Sequence, residues 1–89
     1  MRFQDKVVVV TGAGQGLGAR FAQDFAREGA LVALLGRTLS KVEAVARGIR
    51  KQGGNALAFA CDVGDSGRVE KAFDAILAAW GRVDVLVNN

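Results

Sequence analysis

Short apolar runs alternate along this chain with stretches in which apolar residues recur at helical spacing. The short runs predict four strands, at residues 6–11, 31–35, 56–61 and 83–87. Between them, apolar residues return at every third or fourth position, which predicts three amphipathic helices. Strands that are apolar on both faces are typical of a parallel sheet covered by helices on both sides. The pattern therefore predicts an α/β chain of order β-α-β-α-β-α-β.

The first predicted helix spans residues 16–28 and stops at Gly29, since glycine readily adopts the conformation that closes helices. Its inner face would carry Leu17, Phe21 and Phe25 together with small alanines. We expect the aromatic rings to pack in the core rather than to stack on a ligand.

The other two helices have capping signals at their amino ends. Ser40 and Glu43 match a capping box for the second helix, and Asp65 or Ser66 is suited to cap the third. Capping would account for both serines. The predicted apolar stripes are Val42, Val45, Ala46 and Ile49 in the second helix, and Val69, Ala72, Phe73, Ile76, Leu77 and Trp80 in the third.

The first strand leads into a loop with four glycines in seven positions, Gly12, Gly14, Gly16 and Gly18. Glycine lets the backbone turn sharply and approach a ligand closely. A loop between a strand and a helix also directs unpaired N–H groups and the positive end of the helix dipole to one place, which favours an anion such as a pyrophosphate. A structural turn without a ligand is the alternative explanation of the glycines.

The order of the elements gives this loop a special position. If the first three strands step one way and the fourth returns beside the first, the spatial order is 3-2-1-4 with right-handed crossovers. Open sheets of this kind bind ligands beyond the carboxyl ends of their strands, where the order reverses. We therefore predict a doubly wound parallel sheet with its ligand site at residues 12–18.

The spacing of the loop departs from the common Gly-x-Gly-x-x-Gly fingerprint, because Leu17 stands where its last glycine would be. The pattern that fits is Thr-Gly-x-x-x-Gly-x-Gly, on Thr11, Gly12, Gly16 and Gly18. This pattern resembles the short-chain dehydrogenase/reductase family.

Two shorter motifs extend the resemblance. Asp62 and Val63 end the third strand, where members of the family receive the adenine ring of their cofactor. Asn88 and Asn89 look like the start of the family's Asn-Asn-Ala-Gly motif, which implies that Asn89 lies beside the cofactor while Asn88 steadies the sheet. Without the resemblance, each pair would be a polar turn after a strand.

The resemblance spans residues 1–89 and implies the amino-terminal part of a single NAD(P)-binding domain, an incomplete Rossmann-type fold with no second domain. Members of the family transfer a hydride between a nicotinamide and a carbonyl or alcohol, and a 3-ketoacyl reductase is one subtype. They use a tyrosine as general acid or base, and these 89 residues contain no tyrosine. We therefore predict no catalytic residue in this stretch, and expect it to be inactive by itself.

Cofactor choice depends on the end of the second strand. Gly36 stands where NAD-using members carry an acid for the ribose hydroxyls, and Arg37 follows, whose guanidinium suits a 2′-phosphate. This favours NADP, with NAD as the alternative. Gln15 weakens the case, because NADP-using members often carry a basic residue there. The predicted cofactor-binding residues are Gly12, Gly14, Gln15, Gly16, Leu17, Gly18, Arg37, Asp62, Val63 and Asn89.

Composition argues against several other classes. Apolar residues make up 51% of the chain, which is typical of a globular domain, and no apolar run is long enough for a membrane span. Cys61 has no partner for an internal disulfide, which suits a reducing compartment. With one cysteine and no histidine, neither a metal site nor a nucleophile–base pair is predicted.

The net charge of +3 is modest. Its densest part, Arg47, Arg50 and Lys51, lies near the predicted end of the second helix, where cations complement the helix dipole. We therefore expect a cytoplasmic protein without a nucleic-acid or membrane partner. The intact parent should bind a small carbonyl or alcohol substrate and form a homo-oligomer.

Two alternative functions stay open. A non-catalytic nucleotide-binding or regulatory module would use the same glycine loop without a downstream tyrosine. An adenosylmethionine-dependent methyltransferase would fit Gly12, Gly14 and Gly16, which also match Gly-x-Gly-x-Gly. That class carries acids at two positions that here are Val10 and Gly36.

Overall fold

One of the two inner strands of the sheet is β1, Val7–Thr11, whose four valines are at most 1% exposed. β-Branched residues favour extended backbone, and here both faces of the strand are covered. The computed structural model describes residues 2–89 of the chain. The elements follow in the order β1 Val7–Thr11, α1 Gly16–Arg27, β2 Leu31–Gly36, α2 Leu39–Lys51, β3 Asn55–Ala60, α3 Ser66–Trp80 and β4 Val85–Val87.

The four strands form one parallel sheet in the order β3-β2-β1-β4. Val8 of β1 pairs with Val32 of β2 on one side and with Val85 of β4 on the other. The predicted order 3-2-1-4 is thereby confirmed. The direction of the strand order reverses at β1, whose carboxyl end leads into the glycine loop.

The two faces of the sheet bury separate clusters, because alternate residues of a strand point to opposite sides. Val8 and Val10 pack with α1 and α2, whereas Val7 and Val9 pack with α3. The aromatic residues predicted for the core, Phe21, Phe25, Phe73 and Trp80, are half-buried against these two clusters. The helical stripes therefore serve mainly to hold the scaffold.

Two leucines predicted to face the core are exposed instead. Leu17 is 59% exposed, because it lies in the first turn of α1, beside the glycine loop rather than over the sheet. Leu77 is 45% exposed, and its neighbour Ile76 takes the buried position of that turn of α3.

Leu86 of β4 is also exposed, and by strand alternation it lies on the α3 side of the sheet. That face is therefore covered less completely at β4.

The predicted capping box of α2 is wrong. The N-cap residue is Thr38, so Ser40 lies inside the first turn. Glu43 pairs instead with Arg50, with 2.9 Å between carboxylate oxygen and guanidinium nitrogen. Val42 is fully buried against the sheet. Its packing determines where the helix begins, and this outweighs the local signal of the two side chains.

Of the two residues predicted to cap the amino end of α3, one does so. Asp65 is the N-cap residue, and its Oδ1 accepts a hydrogen bond from the N–H of Arg68 at 3.2 Å. Ser66 is the first residue of the helix rather than its cap.

No helix within residues 2–89 is both long and apolar enough to cross a membrane.

Asp84 fastens the amino end of β4 to β1. Its Oδ2 accepts hydrogen bonds from the N–H of Val7 and from Nε of Arg82, each at 2.8 Å. The bond from Val7, and to a lesser degree the Arg82 guanidinium, lower the pKa of Asp84 below its ordinary value. The ionised carboxylate is therefore the form that the fold stabilises.

Replacing Asp84 with asparagine should lower the melting temperature near pH 7. The substitution keeps the shape of the side chain but replaces the ionised acceptor of the Val7 and Arg82 hydrogen bonds with a neutral amide. A carboxylate whose pKa is lowered by folding stabilises the protein above its unfolded pKa of about 3.9 and loses this contribution as pH falls through the folded pKa. The difference between variant and natural protein should therefore shrink below about pH 4 in thermal unfolding. Asp74→Asn, on the exposed surface of α3, is the control. A difference that is constant with pH would contradict this role.

Candidate functional site

The glycine loop joins the carboxyl end of β1 to α1. Gly12 and Gly16 have φ angles of 60° and 59°, in the left-handed region that favours glycine. The N–H of Ala13 donates to the carbonyl of Leu35 at 3.1 Å, which fastens the loop to the end of β2. The loop therefore lies at the carboxyl ends of two neighbouring strands, where the sequence predicted a ligand.

Two glycines of the loop have opposite surroundings. A Cβ at Gly18 would overlap the carbonyl oxygen of Gly12, so α1 can approach the loop only without a side chain there. A Cβ at Gly16 would have nothing within 4 Å. Gly16 borders open space at the amino end of α1, which is where an anion can approach the backbone N–H groups.

The hydroxyl of Thr11 links the carboxyl ends of β1 and β4. Its Oγ1 donates to Oδ1 of Asn88 at 3.1 Å and accepts from the N–H of Asn89 at 3.0 Å. The side-chain amide of Asn89 donates to the carbonyl of Gly12 at 3.5 Å. Asn88 thus lies between the two strands and Asn89 lies against the glycine loop. The bridging role of this hydroxyl has no signal in the sequence, because it depends on the pairing of β1 with β4.

A groove of about 370 Å³ opens between the glycine loop and the segment that follows β2. Its lining consists of Gly12, Gly14, Gln15, Gly36, Arg37, Thr38 and Lys41. Two of these side chains are cationic, and none of the described residues that line the groove is acidic. The groove therefore favours an anionic ligand.

Lys41 is the charged lining residue that sequence analysis missed. It lies in the first turn of α2, and its Nζ donates to Oε1 of Gln15 at 3.0 Å. Its position three residues after the N-cap residue Thr38 turns it towards the loop. This position could be identified only once the start of the helix was known, and the predicted capping box placed that start too late.

Gly36 ends β2 beside the same loop. A Cβ at this position would lie 2.7 Å from Cγ1 of Val42 and 3.6 Å from the backbone nitrogen of Gly14. Val42 is fully buried and its branched side chain is stiff. An acid at position 36 would therefore require a shift of α2, so the packing matches the absence of an acid here.

Asp62 and Val63 lie after β3 and outside the lining of the groove. Oδ1 of Asp62 accepts from the N–H of Gly64 at 2.9 Å, a local turn of the kind that aspartate favours after a strand. Val63 is 58% exposed. The structure leaves both side chains at the carboxyl edge of the sheet, where β2 and β3 end.

The predicted site residues thus fall into three groups. The groove is lined by Gly12, Gly14, Gln15 and Arg37. Outside that lining are the remaining loop residues Gly16, Leu17 and Gly18, together with Asn89, which contacts the loop. The third group, Asp62 and Val63, follows β3.

Cys61 lies in the core under α3 and is 2% exposed. Burial, and to a lesser degree the carboxylates of Asp62 and Asp65, raise the pKa of its thiol. A thiol held in its neutral form is a weak nucleophile. Within residues 2–89, no cluster of three or more histidine, cysteine or acidic residues could hold a metal ion.

A parallel sheet of order 3-2-1-4 with a glycine loop at its reversal point is typical of Rossmann-type nucleotide-binding folds. The family model described as short chain dehydrogenase matches residues 6–89. The chain belongs to this family, which confirms the resemblance and the predicted fold class.

Two curated relatives are dehydrogenases. The chain is 45% identical over 89 residues to meso-2,3-butanediol dehydrogenase of Serratia marcescens, covering 100% of this chain and 35% of the relative. It is 41% identical over 88 residues to D-threitol dehydrogenase of Mycolicibacterium smegmatis, covering 99% of this chain and 34% of the relative. The chain therefore spans about a third of the length of the curated relatives that it matches.

A solved structure of a metagenomic short-chain oxidoreductase in complex with NADP superposes with a TM-score of 0.94. The sequences are 43% identical, and the match covers 100% of this chain and 40% of that chain. The sheet and loop described above are thus similar to those of a protein that holds a nicotinamide dinucleotide.

Proposed function

We propose that residues 1–89 form the NADP(H)-binding part of an oxidoreductase that transfers a hydride between a nicotinamide and a carbonyl or alcohol substrate. The observation that carries this proposal is the cationic groove beside the glycine loop, where Arg37 faces a lining without an acid. The NADP in the similar metagenomic structure supports the choice of cofactor. Membership of a dehydrogenase family favours this function over the methyltransferase and over a non-catalytic module.

The residues present fit such a cofactor. The open space beside Gly16 leaves room for a pyrophosphate against the loop backbone and the positive end of the α1 dipole. The planar guanidinium of Arg37 can donate two parallel hydrogen bonds to a 2′-phosphate. In this proposal Asp62 and Val63 receive the adenine, and Asn89 borders the cofactor beside Gly12. When bound, the nicotinamide supplies or accepts the hydride.

Reduction of a carbonyl also needs a proton donor, and we propose that residues 1–89 do not supply it. Residues 1–89 contain no tyrosine, and we propose that the parent protein supplies the general acid or base and the substrate pocket from elsewhere. The inactivity of residues 1–89 by themselves stays a prediction. The two curated relatives are named for the alcohols 2,3-butanediol and D-threitol. Within the proposal, a 3-ketoacyl substrate, a homo-oligomeric parent and a cytoplasmic location stay finer options.

Replacing Arg37 with alanine tests the proposed cofactor. NADPH binding to the full parent protein should weaken by about 1.5–3 kcal/mol, because a hydrogen-bonded cation at the 2′-phosphate is lost. Solvent screening of this exposed side chain puts the expectation near the lower limit. NADH binding should stay unchanged. Calorimetry with both cofactors measures the difference.

Arg47→Ala is the matched control, since Arg47 is an exposed arginine of α2 outside the groove. It should leave both affinities unchanged. Equal affinities of the natural protein for NADPH and NADH, unaltered by Arg37→Ala, would refute the proposed preference.

A further inference from the structure

The groove is lined by a second cation, Lys41 of α2. Its Nζ donates a hydrogen bond to Gln15, which belongs to the glycine loop on the other side of the groove. We propose that Lys41, positioned by Gln15, is a specificity-determining residue that distinguishes a dinucleotide with a 2′-phosphate from one without it. This inference rests on the proposed NADP(H) function and names a residue that acts beside Arg37. It assigns to Gln15 a supporting role, although in the sequence analysis this neutral residue weakened the case for NADP.

Two contacts hold Lys41 over the glycine loop. A Cβ at Gly14 would lie 3.0 Å from Cβ of Lys41, so a side chain at position 14 would push the first turn of α2 slightly away from the loop. At the end of the side chain, Nζ donates to the amide oxygen of Gln15 at 3.0 Å. The stem and the ammonium are therefore both placed against the loop, which reduces the freedom that an exposed lysine otherwise has.

The charge of Lys41 is not neutralised by its partner. Gln15 is an uncharged acceptor, and none of the ion pairs among residues 2–89 includes Lys41. The nearest acid along the helix, Glu43, is paired with Arg50. The groove thus keeps the full positive charge of the ammonium, next to the guanidinium of Arg37.

The donor chemistry of the two cations is complementary. An ammonium has three donors, so Lys41 can bond Gln15 and still donate to phosphate oxygens. Arg37 offers a rigid planar fork from the end of β2, whereas Lys41 offers a compact point charge from α2. A 2′-phosphate carries close to two negative charges and can accept from both, whereas a ribose hydroxyl is neutral. Removing either cation should therefore weaken binding of the ligand with a 2′-phosphate more than binding of the ligand without one.

The test uses the full parent protein and two probes, adenosine 2′,5′-bisphosphate and AMP, which differ only by the 2′-phosphate. In calorimetry, Lys41→Ala should weaken binding of the bisphosphate about tenfold, the low end for a charge-assisted hydrogen bond at an exposed site, and change AMP less than about twofold. Lys41→Arg should retain most of the preference. Lys51→Ala removes the same charge from the far end of α2 and should leave both probes unchanged.

Gln15→Ala examines the positioning role. It removes the amide oxygen that holds the Lys41 ammonium, so the preference for the bisphosphate over AMP should fall about threefold. When Lys41 is already alanine, Gln15→Ala should cause no further loss of this preference. The preference for the bisphosphate should also decline as salt screens the exposed charges. Thermal unfolding of each variant shows whether the fold is retained.

Three outcomes would overturn the inference. A natural protein that binds the two probes equally would refute the proposed cofactor preference and the role of Lys41 together. A preference that Arg37→Ala reduces and Lys41→Ala leaves intact would refute the role of Lys41 alone. A loss in Lys41→Ala that is equal for both probes would show that the side chain supports the loop rather than the phosphate.

Discussion

Replacing Gly16 with valine should abolish dinucleotide binding while the fold persists. The branched side chain would enter the open space in front of the loop, since a Cβ there has nothing within 4 Å. In the proposed function, a pyrophosphate approaches the backbone N–H groups through that space. Loss of two or more charge-assisted hydrogen bonds corresponds to at least about 3 kcal/mol, a weakening of NADPH binding beyond about a hundredfold. Calorimetry with NADPH in the full parent protein measures it.

The φ angle of 59° at Gly16 adds a second effect, because a β-branched residue is strained there by about 1–3 kcal/mol. Gly53→Val separates the two effects. Gly53 also has a positive φ, 89°, and open space around its Cβ, but it follows α2 at the opposite end of the sheet. This control should lose comparable stability and keep its affinity for NADPH. Normal NADPH binding by Gly16→Val would show that the loop is not the phosphate site.

Replacing Gly18 with alanine should destabilise the protein by about 3 kcal/mol, the upper range for overpacking. The new Cβ would overlap the carbonyl oxygen of Gly12 and lie 2.9 Å from the side-chain nitrogen of Asn89. A backbone carbonyl cannot rotate away as a flexible side chain can, so α1 or the end of β1 must move. Urea unfolding of the full parent protein measures the loss.

The same substitution at Gly48 should have the opposite sign. Gly48 lies inside α2, is exposed, and would have nothing within 4 Å of a Cβ. Alanine there should stabilise the protein by about 0.5–1 kcal/mol, since it restricts the unfolded chain and favours the helix. Similar free-energy changes for Gly18→Ala and Gly48→Ala would contradict the close approach of α1 to the loop.

The parts of the fold that could be predicted are those in which local pattern and burial agree. The valines of β1 are apolar on both faces, and both faces are buried. Gly29 follows α1 with a φ of 90°, as its position after the apolar stripe predicted. Strand order also followed, because parallel strands joined by right-handed crossovers leave few arrangements.

The errors arose where a local signal competed with packing. Ser40 and Glu43 have the right spacing for a capping box, but burial of Val42 sets the start of α2. Leu17 and Leu77 have helical spacing, yet each lies at the margin of the surface that its helix covers. Periodicity indicates which side of a helix is apolar, but not how far the sheet beneath it extends.

The sequence indicated that the glycine loop and Arg37 lie close together, but not what each residue contacts. Gly16 and Gly18 belong to one motif, but only the structure shows that one borders open space while the other lies against a carbonyl. Lys41 was not predicted, because its hydrogen bond to Gln15 joins two segments that are distant in sequence. Side-chain contacts of this kind depend on how α2 packs against the loop.

The pairing of β4 with β1 closes almost the whole chain into a ring. Val8 meets Val32 after a single strand–helix–strand unit, whereas it meets Val85 only after two further helices and another strand. Loop-closure entropy grows with the logarithm of length, so docking β4 costs about 1 kcal/mol more than closing the first unit. A ligand that contacts both the glycine loop and Asn89 binds only the form of the chain in which β4 is paired with β1. By mass action such a ligand holds β4 in place. A cofactor bound as proposed would therefore couple its own affinity to the docking of β4.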